Sequence, residues 1–540
     1  MSNPQDVSRR IESTSDAKPE APNPQMEPAS DPKGLSPAKQ RLLETKLRLA
    51  DTDEEISGTL AHLQRLQNRR KDILVDINIL TSPILNLPPE IICEIFIHCL
   101  PPPRTLPDPR DAPLLLGHVC RRWRSIAYSF TQLWSSVTVS AVLSAMLLPP
   151  PRAGLLDMLD AWLIHSGDNL LSVSIVPDAQ NPDIPLVLGR SPIFGTIRHT
   201  SHRWRELEIV RRLEDFQVLL NRDAPWNLPH LVKLTLLLAN NGRHPSGFPP
   251  NLLSNLNDAP ALREVHVMGF APLNLLIPWS QLTTVHAENL LPIECLQTLA
   301  ATTSLIDGAF SIWIEQFFHL PATAPIARPS RLTSLTLSGE LCIGLLDHIE
   351  LLSIKKFSLS IGPNDDFAPL VAFFARSSTL KEVALDIRGA VPPADLITCL
   401  EAMAGIETLS FGVHTGLMNG PLPWALLSNF ALLPSIQHLT ICERIDRYHE
   451  PPLDEGGVAE MLAARWAGGA GTLKSFCLIT THLFCVGGGA VHPGFAALAE
   501  EGMGIVLRSH GAGPFRVVYF DSAKQSSRSN GKEKGKARAL

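Results

Sequence analysis

Five cysteine and histidine side chains crowd together between residues 93 and 120 and could, by type, form a metal site. They are Cys93, His98, Cys99, His118 and Cys120. Thiolates and neutral imidazoles are ordinary ligands of zinc. However, their spacing matches no standard zinc finger, and a free cysteine on an apolar helix face usually packs as a small hydrophobic residue. The pattern predicts no metal.

Other catalytic signatures do not stand out. The glycines at 487–489 lack the Lys and Ser/Thr that follow a phosphate-binding loop, so they predict a turn. We find no G-x-S-x-G elbow, no H-E-x-x-H pair and no Cys-His ligase signature. We therefore expect no enzyme and no cofactor.

Composition indicates several globular modules that bind protein. The chain has 540 residues, of which 45% are hydrophobic and 19% are charged. Its net charge is -6, and no concentrated basic face interrupts the body of the chain, which argues against a nucleic-acid partner.

The nine cysteines form no C-x-x-C pair, and the polar N-terminus is not a signal peptide. This pattern predicts a reducing compartment, cytoplasmic or nuclear. The apolar run from Val137 to Leu148 is shorter than the roughly 18 residues that span a bilayer, so we expect no membrane segment.

Both ends of the chain are expected to be disordered. Residues 1–38 carry almost no large apolar side chain, so folding could not offset their chain entropy. Residues 521–540 form a basic tail that serves either nuclear import or solubility; its cations are Lys524, Arg528, Lys532, Lys534, Lys536 and Arg538.

Residues 39–81 predict an amphipathic helix. Its seam alternates spacings of three and four residues: Leu49, Thr52, Ile56, Thr59, Leu63, Leu66, Arg70, Ile73, Ile77 and Leu80. Two interpretations remain open. The seam forms a homodimeric coiled coil, or the helix packs on its own chain; Gly58 and the seam threonines weaken the first half.

A compact helical block is predicted at 83–136. Leu87-Pro88-Pro89-Glu90 is a helix-entry signal, because proline is tolerated in the first turn and a carboxylate suits the positive helix end. This helix runs to about Leu100, and a proline-rich loop then reaches Pro113. A second helix opens at Leu114, and a third carries Trp123. Three such helices bury little surface alone, so they are expected to be covered by a partner.

This block resembles an F-box. The resemblance is carried by the segments 87–96 (Leu-Pro-Pro-Glu-Ile-Ile-x-Glu-Ile-Phe), 119–127 (Val-Cys-Arg-Arg-Trp-Arg-x-Ile-Ala) and Leu133-Trp134. It is similar in particular to an expanded fungal group whose first helix ends in Leu-Pro-Pro-Pro. The longer loop from Pro101 to Asp111 is the main departure.

The resemblance implies a Skp-type adaptor as partner and, through it, a cullin. Carried over by position, the adaptor contacts are Leu87, Pro88, Ile92, Ile95, Phe96, Leu116, Val119, Cys120, Trp123 and Ile126. Trp123 is the expected anchor. The alternative is that Trp123 and its neighbours form a private three-helix core.

Beyond the block, a six-residue unit recurs with apolar residues at its first, fourth and sixth positions. Clear units start at Trp204, Leu262, Leu332, Ile354, Ile406 and Ile436; weaker units start at Leu170, Leu231, Leu282, Leu380 and Leu473, with Leu305 degenerate. Several follow a short helical stretch and a turn, for example 371–376 and 458–466. Helix, turn and strand at this period are typical of a leucine-rich-repeat-like solenoid. The alternative is an irregular α/β domain with alternating strands.

The predicted fold class is therefore a multidomain chain: a helix or coiled coil at 39–81, a three-helix F-box at 83–136, and an α/β leucine-rich-repeat-like solenoid of parallel strands at 137–520. Positions three and five of each unit would line its exposed sheet face. A protein target is expected there, on Glu206, Glu208, Lys233, Glu264, His266, His286, Lys356, Glu382 and His438. The expected role is substrate recognition for a Skp-cullin-F-box ubiquitin ligase; the alternative is a scaffold that assembles no ligase.

Overall fold

The computed structural model describes most of the chain between residues 36 and 520. The described residues are 36–81, 83–140, 153–177, 192–212, 216, 226–238, 256, 258–313, 320, 324–339, 342–362, 365–388, 392–414, 427–444, 455–468, 472–480, 492–509 and 516–520. The predicted tails, apart from the residues between 36 and 38, and the glycines at 487–489 lie outside them. The chain divides into two units, Met1–Pro88 and Pro89–Leu540.

The first unit contains one long helix, α1 (Pro37–Thr81), followed by a 3-10 turn at Pro83–Asn86. The helix is rich in Leu, Lys, Arg, Gln and Glu, all of which have high helix propensity. Threonines at three positions do not break it, since their hydroxyls bond back to carbonyls one turn earlier, as Thr45 does to Arg41 O at 2.7 Å.

The second unit opens with three short helices. These are α2 (Pro89–His98), α3 (Leu114–Val119) and α4 (Arg121–Ser129), and a 3-10 turn at Thr131–Trp134 follows. Pro89 and Glu90 occupy the first turn of α2, as the entry signal predicts. The order and number of these helices match the prediction for the block.

A single 15-stranded sheet forms the rest of the second unit, and its strands follow chain order from one edge to the other. The strands are β1 (Ser136–Ser140), β2 (Leu171–Val176), β3 (Trp204–Arg211), β4 (Lys233–Leu238), β5 (Glu264–Met268), β6 (Thr284–Leu290), β7 (Asp307–Ile312), β8 (Ser334–Gly339), β9 (Lys356–Ile361), β10 (Glu382–Ile387), β11 (Thr408–His414), β12 (His438–Arg444), β13 (Ser475–Thr480), β14 (Gly504–Ser509) and β15 (Arg516–Phe520).

Every pair from β1–β2 to β13–β14 is parallel, and β14–β15 is antiparallel. A parallel connection needs a crossover segment, and most of the described crossovers carry helices or 3-10 turns. The helices are α5 (Ala153–His165), α6 (Pro192–His199), α7 (Pro292–Ala301), α8 (Ala368–Arg376), α9 (Pro393–Ala402), α10 (Glu455–Gly468) and α11 (Pro493–Glu500). Strand, crossover and parallel neighbour in chain order are consistent with an α/β solenoid.

The six-residue units predicted these strands correctly. Each of the twelve units contains the start of one strand from β2 to β13. Their fourth positions align across the sheet, so that Leu335 faces Phe357 and Phe357 faces Val383. These side chains are buried, as are the sixth positions and every first position except Leu170, which is 41% exposed. The apolar positions of the unit form the buried face of the sheet. The prediction of a solenoid is therefore confirmed, and the alternative of an irregular α/β domain is not.

Three strands were not anticipated. β1 lies at the junction with the helical block, and β14 and β15 follow the last recognised unit. The unit that contains β14 has Gly502 at its first position instead of an apolar residue, and β15 pairs in the opposite direction, so neither fits the full repeat pattern.

Gly339 allows the end of β8 to approach its neighbour. Its φ is +110°, and a Cβ added there would lie 2.0 Å from the Ile312 carbonyl oxygen. A side chain at this position would have to displace the β7 backbone, because L-residues avoid this conformation.

We expect Gly339→Ala to lower the free energy of unfolding by at least about 2 kcal/mol. Gly344→Ala is the matched control, since a Cβ added at Gly344 would meet nothing within 4 Å and its φ is ordinary. Thermal and urea denaturation followed by circular dichroism measure both. Equal stability of the two variants would contradict the inference that a side chain at position 339 displaces the β7 backbone.

Candidate protein-interaction surfaces

The three-helix block has a small core built around two aromatic rings. Helix α2 packs against α4, and the rings of Phe96 and Trp123 meet edge to face with centroids 5.0 Å apart. Ile92 and Phe96 from α2, and Ile126 from α4, are buried with Trp134. The indole Nε1 of Trp123 is buried without a hydrogen-bond partner among the described residues. The block therefore has a core, but an imperfectly satisfied one.

Local polar contacts fix the turn between α3 and α4. Cys120 is the N-cap of α4, where its sulfur accepts a hydrogen bond from the Trp123 backbone N–H at 3.4 Å. The Arg124 Nε donates to the Gly117 carbonyl at 2.6 Å. A Cβ at Gly117 would lie 3.2 Å from the Tyr128 hydroxyl, so glycine lets the two helices approach closely. Cys120 thus serves as a cap in this fold.

The predicted adaptor contacts divide into two groups. Ile92, Phe96, Leu116 and Ile126 are buried in the block's own core, where they hold the helices together. Their contact with an adaptor stays a prediction. Leu87, Ile95, Cys120 and Trp123 are half-buried, and Pro88 and Val119 are exposed.

Exposed apolar side chains that the resemblance did not indicate lie on the same helices. Ile91 precedes the buried Ile92 on α2, and Leu115 lies one helical turn before Val119 on α3. Residues four apart share a helix face, so Leu115 and Val119 form one apolar edge. The sequence signal that could have identified these exposed side chains is an apolar residue at a helix position that does not face the core.

The block is joined to the first repeat by aromatic packing and hydrogen bonds. Trp134 meets Trp162 edge to face at 5.0 Å, and Tyr128 stacks on His165 at 4.7 Å. The Trp162 Nε1 donates to the Ser136 carbonyl at 3.0 Å. Because α4, α5 and β1 share this cluster, the helical block and the start of the sheet are packed as one piece.

The long loop between α2 and α3 also contacts the sheet. Arg104, which has a positive φ of 72°, places its guanidinium 2.5 Å from a Glu208 carboxylate oxygen on β3. The other Glu208 oxygen accepts from Ser174 on β2 at 3.1 Å. Glu208 therefore ties the loop to the sheet face, a structural contact that the sequence did not suggest.

The nine residues predicted to meet a target lie in two adjacent rows of the sheet face opposite the core. Strand register aligns one row as Glu206, Lys233, Glu264, Lys356, Glu382 and His438, and the second as Glu208, His266 and His286. Other members of the rows are mostly Ser, Thr and Ala. The topology brings all nine to one face.

Many of these charges neutralise one another across neighbouring strands. Lys356 lies 2.7 Å from Glu382, and Lys233 lies 3.7 Å from Glu264. His266 lies 2.9 Å from Glu288, which sequence reasoning did not select. Cross-strand pairs of this kind stabilise a sheet only modestly and are screened by solvent. Two of the four glutamates in these rows, Glu264 and Glu382, are thus paired with a lysine.

The buried thiols have raised pKa values. Burial raises the pKa of Cys342 and of Cys399 to about 12, and raises that of Cys295 well above its usual value. These groups are therefore protonated thiols near neutral pH, which are poor nucleophiles and poor metal ligands. Within the described residues, no three His, Cys, Asp or Glu side chains cluster as metal ligands would. Nor does any helix of this described part combine the length and apolarity needed to cross a bilayer.

The core and surface roles of two neighbouring isoleucines can be separated by experiment. Ile92 is 1% exposed, and Ile91 is 49% exposed. We expect Ile92→Ala to destabilise the block by about 2 to 4 kcal/mol, because it leaves a cavity, whereas Ile91→Ala changes stability by less than about 0.5 kcal/mol. Hydrogen exchange of peptides covering 89–134 measures both. Faster exchange in the Ile91 variant alone would show that Ile91, and not Ile92, belongs to the core.

Comparison with known proteins supports the helical block as the recognisable module. No curated protein matches the chain. A family model described as F-box-like matches residues 84–140, which include the three helices and β1. The match is to that family, and the likeness to a fungal group stays a prediction. Residues 84–140 of this chain are an F-box-like domain.

Proposed function

We propose that the chain is a substrate-recognition subunit of a Skp-cullin-F-box ubiquitin ligase. The observation that carries the proposal is the F-box-like domain at 84–140, whose fold leaves apolar side chains exposed on α2 and α3. F-box domains are protein-interaction modules that bind Skp-type adaptors, and the adaptor joins them to a cullin. Apolar residues exposed on a small helical block suit a helix-against-helix interface.

The adaptor surface is best assigned to the exposed and half-exposed residues of the block. Ile91, Leu115 and Val119 supply exposed apolar area. Ile95 lies four residues after Ile91, Trp123 lies four residues after Val119, and both are half-buried. Pro88 and Leu87, at the helix entry, complete the set carried over from the resemblance. The four core residues act indirectly, by holding these side chains in place.

The sheet face is the proposed target-binding surface. The F-box-like domain is packed on the first repeat through Trp134 and Trp162, so a target held on the sheet would keep a fixed position relative to the adaptor. Fixed geometry raises the effective concentration of the target's lysines near the ligase. The chain would contribute proximity, while another subunit transfers ubiquitin. Such a role fits a cytoplasmic or nuclear location.

The alternative function is a scaffold that binds the adaptor but assembles no ligase. The self-pairing of the sheet-face charges, as in Lys356 and Glu382, favours this version, because a target would have to compete with contacts already made. The two functions share the adaptor interface and differ in whether a cullin and a degraded target follow.

Adaptor binding can be tested with two aspartate substitutions. We expect Ile91→Asp combined with Val119→Asp to reduce co-purification with a Skp-type adaptor by at least about tenfold, because each places an unpaired charge in an apolar interface. Leu352→Asp is the matched control, because Leu352 is 82% exposed on a distant loop. Unchanged recovery of the double variant, with a native circular dichroism spectrum, would remove the proposal.

The ligase role is tested by following the complex further. Proximity labelling with the intact chain and with the double variant should recover a cullin only with the former, and targets should accumulate when the proteasome is blocked. Adaptor recovered without cullin or accumulating targets would favour the scaffold. Substituting Lys356→Glu and Glu382→Lys together would test the sheet face, because the ion pair is retained while its two charges exchange places.

A further inference from the structure

Helix α1 carries an uncovered apolar seam along its length. Between residues 37 and 77, the leucines and isoleucines of the helix are 49 to 61% exposed, which is high for side chains of this size. The seam members among them are Leu49, Ile56, Leu63, Leu66, Ile73 and Ile77, and those outside the seam are Leu42, Leu43, Leu47, Leu60 and Leu74. A 45-residue helix is about 67 Å long, and helices usually owe their stability to packing of an apolar face rather than to propensity. The seam therefore needs a partner.

The seam threonines are compatible with burial. The hydroxyls of Thr52 and Thr59 donate to carbonyls three and four residues earlier, at 2.8 to 2.9 Å. Their polar atoms are satisfied inside the helix, so each can present its methyl group to a partner without an unpaired donor. The feature that weakened the seam in sequence does not prevent helix pairing.

A parallel, in-register pair of two copies would be disfavoured by charge. Residue 70 occupies the seam, so Arg70 would face Arg70 of the second copy. On the flank, Arg41 would lie beside Lys46 of the second copy and Arg48 beside Asp53, so one repulsive contact is set against one attractive contact. The Arg70 pair lies in the apolar interface itself, where charge is least screened, and is the contact that disfavours this arrangement.

An antiparallel pair brings opposite charges together. When the helices cross with His62 beside His62 of the second copy, Arg48 lies beside Asp76 and Glu55 lies beside Arg69, each twice by symmetry. In the seam, Leu49 faces Ile73 of the second copy. Ile56 faces Leu66, and Arg70 faces Thr52 rather than itself.

The charge pattern also selects this register. Sliding one copy by a heptad in one direction places Glu55 beside Asp76, and sliding it in the other places Arg48 beside Arg69. Each alternative register therefore has a repulsive flank. In the register centred near residue 61, Arg48, Glu55, Arg69 and Asp76 all meet opposite charges, and Arg41 falls opposite residue 83, beyond the end of the helix.

We propose that helix α1 forms an antiparallel homodimer with a second copy of this chain, with its two-fold axis between Leu60 and His62. The partner is a second copy because the flank charges of α1 are complementary to themselves in one antiparallel register. The dimer does not depend on adaptor binding, and it would hold two F-box-like domains in one assembly.

Charge reversal in the full-length chain tests both the dimer and its direction. Sedimentation equilibrium of the wild type should show a dimer. Glu55→Arg alone, or Arg69→Glu alone, turns two attractive contacts into repulsive ones and should weaken the dimer by about tenfold. The double exchange, Glu55→Arg with Arg69→Glu, should restore it to within about twofold of the wild type. The two positions lie about 21 Å apart along one helix, so rescue cannot arise within a single helix or in a parallel pair.

Glu54→Arg is the matched control, because it makes the same charge change on the outer face of the helix. It should leave the dimer unchanged. A monomeric wild type, single variants as tight as the wild type, or a double exchange no tighter than the singles would each overturn the proposal. Adaptor co-purification by the same variants should be unaffected, so failure of the dimer is distinguishable from failure of the proposed function.

Discussion

Parallel backbone pairing between each strand and the next in sequence is the constraint on which the rest of the second unit depends. At the start of most strands, backbone N–H groups bond to a carbonyl of the preceding repeat; both Lys381 and Glu382 donate to the Lys355 carbonyl. This ladder fixes which residues share a row, and therefore which side chains face the core and which face outward. The position of the F-box-like domain follows from it, since β1 begins two residues after Trp134.

The repeat strands were predictable because their signal is local and physical. An apolar residue at the first, fourth and sixth positions of a unit must be buried for the chain to fold, and Leu332, Leu335 and Leu337 show the pattern plainly. The outward row was predictable for the same reason. The pairing of its members was not, because it depends on register between segments 20 or more residues apart; Glu208 is held by Arg104 from a loop whose path no periodicity encodes.

For the F-box-like domain, the family was easier to predict from the sequence than the role of each residue. Its family could be identified from motif residues, but a family motif mixes residues that build the fold with residues that meet a partner. Phe96 and Ile126 are buried and build the fold, whereas Val119 is exposed. Distinguishing them requires knowing which side of each short helix faces its neighbours. Three helices of six to ten residues carry too few turns for periodicity to decide this.

The last strand pair bears on how the array could have grown. Repeat proteins lengthen when a unit is duplicated, and a new unit must hydrogen-bond in the same direction as those before it. β15 runs against β14, so a unit duplicated after it would meet an edge of the wrong polarity. Further parallel units can therefore be accommodated in the interior of the array, between β1 and β14, where each inserted unit would add one strand to the sheet.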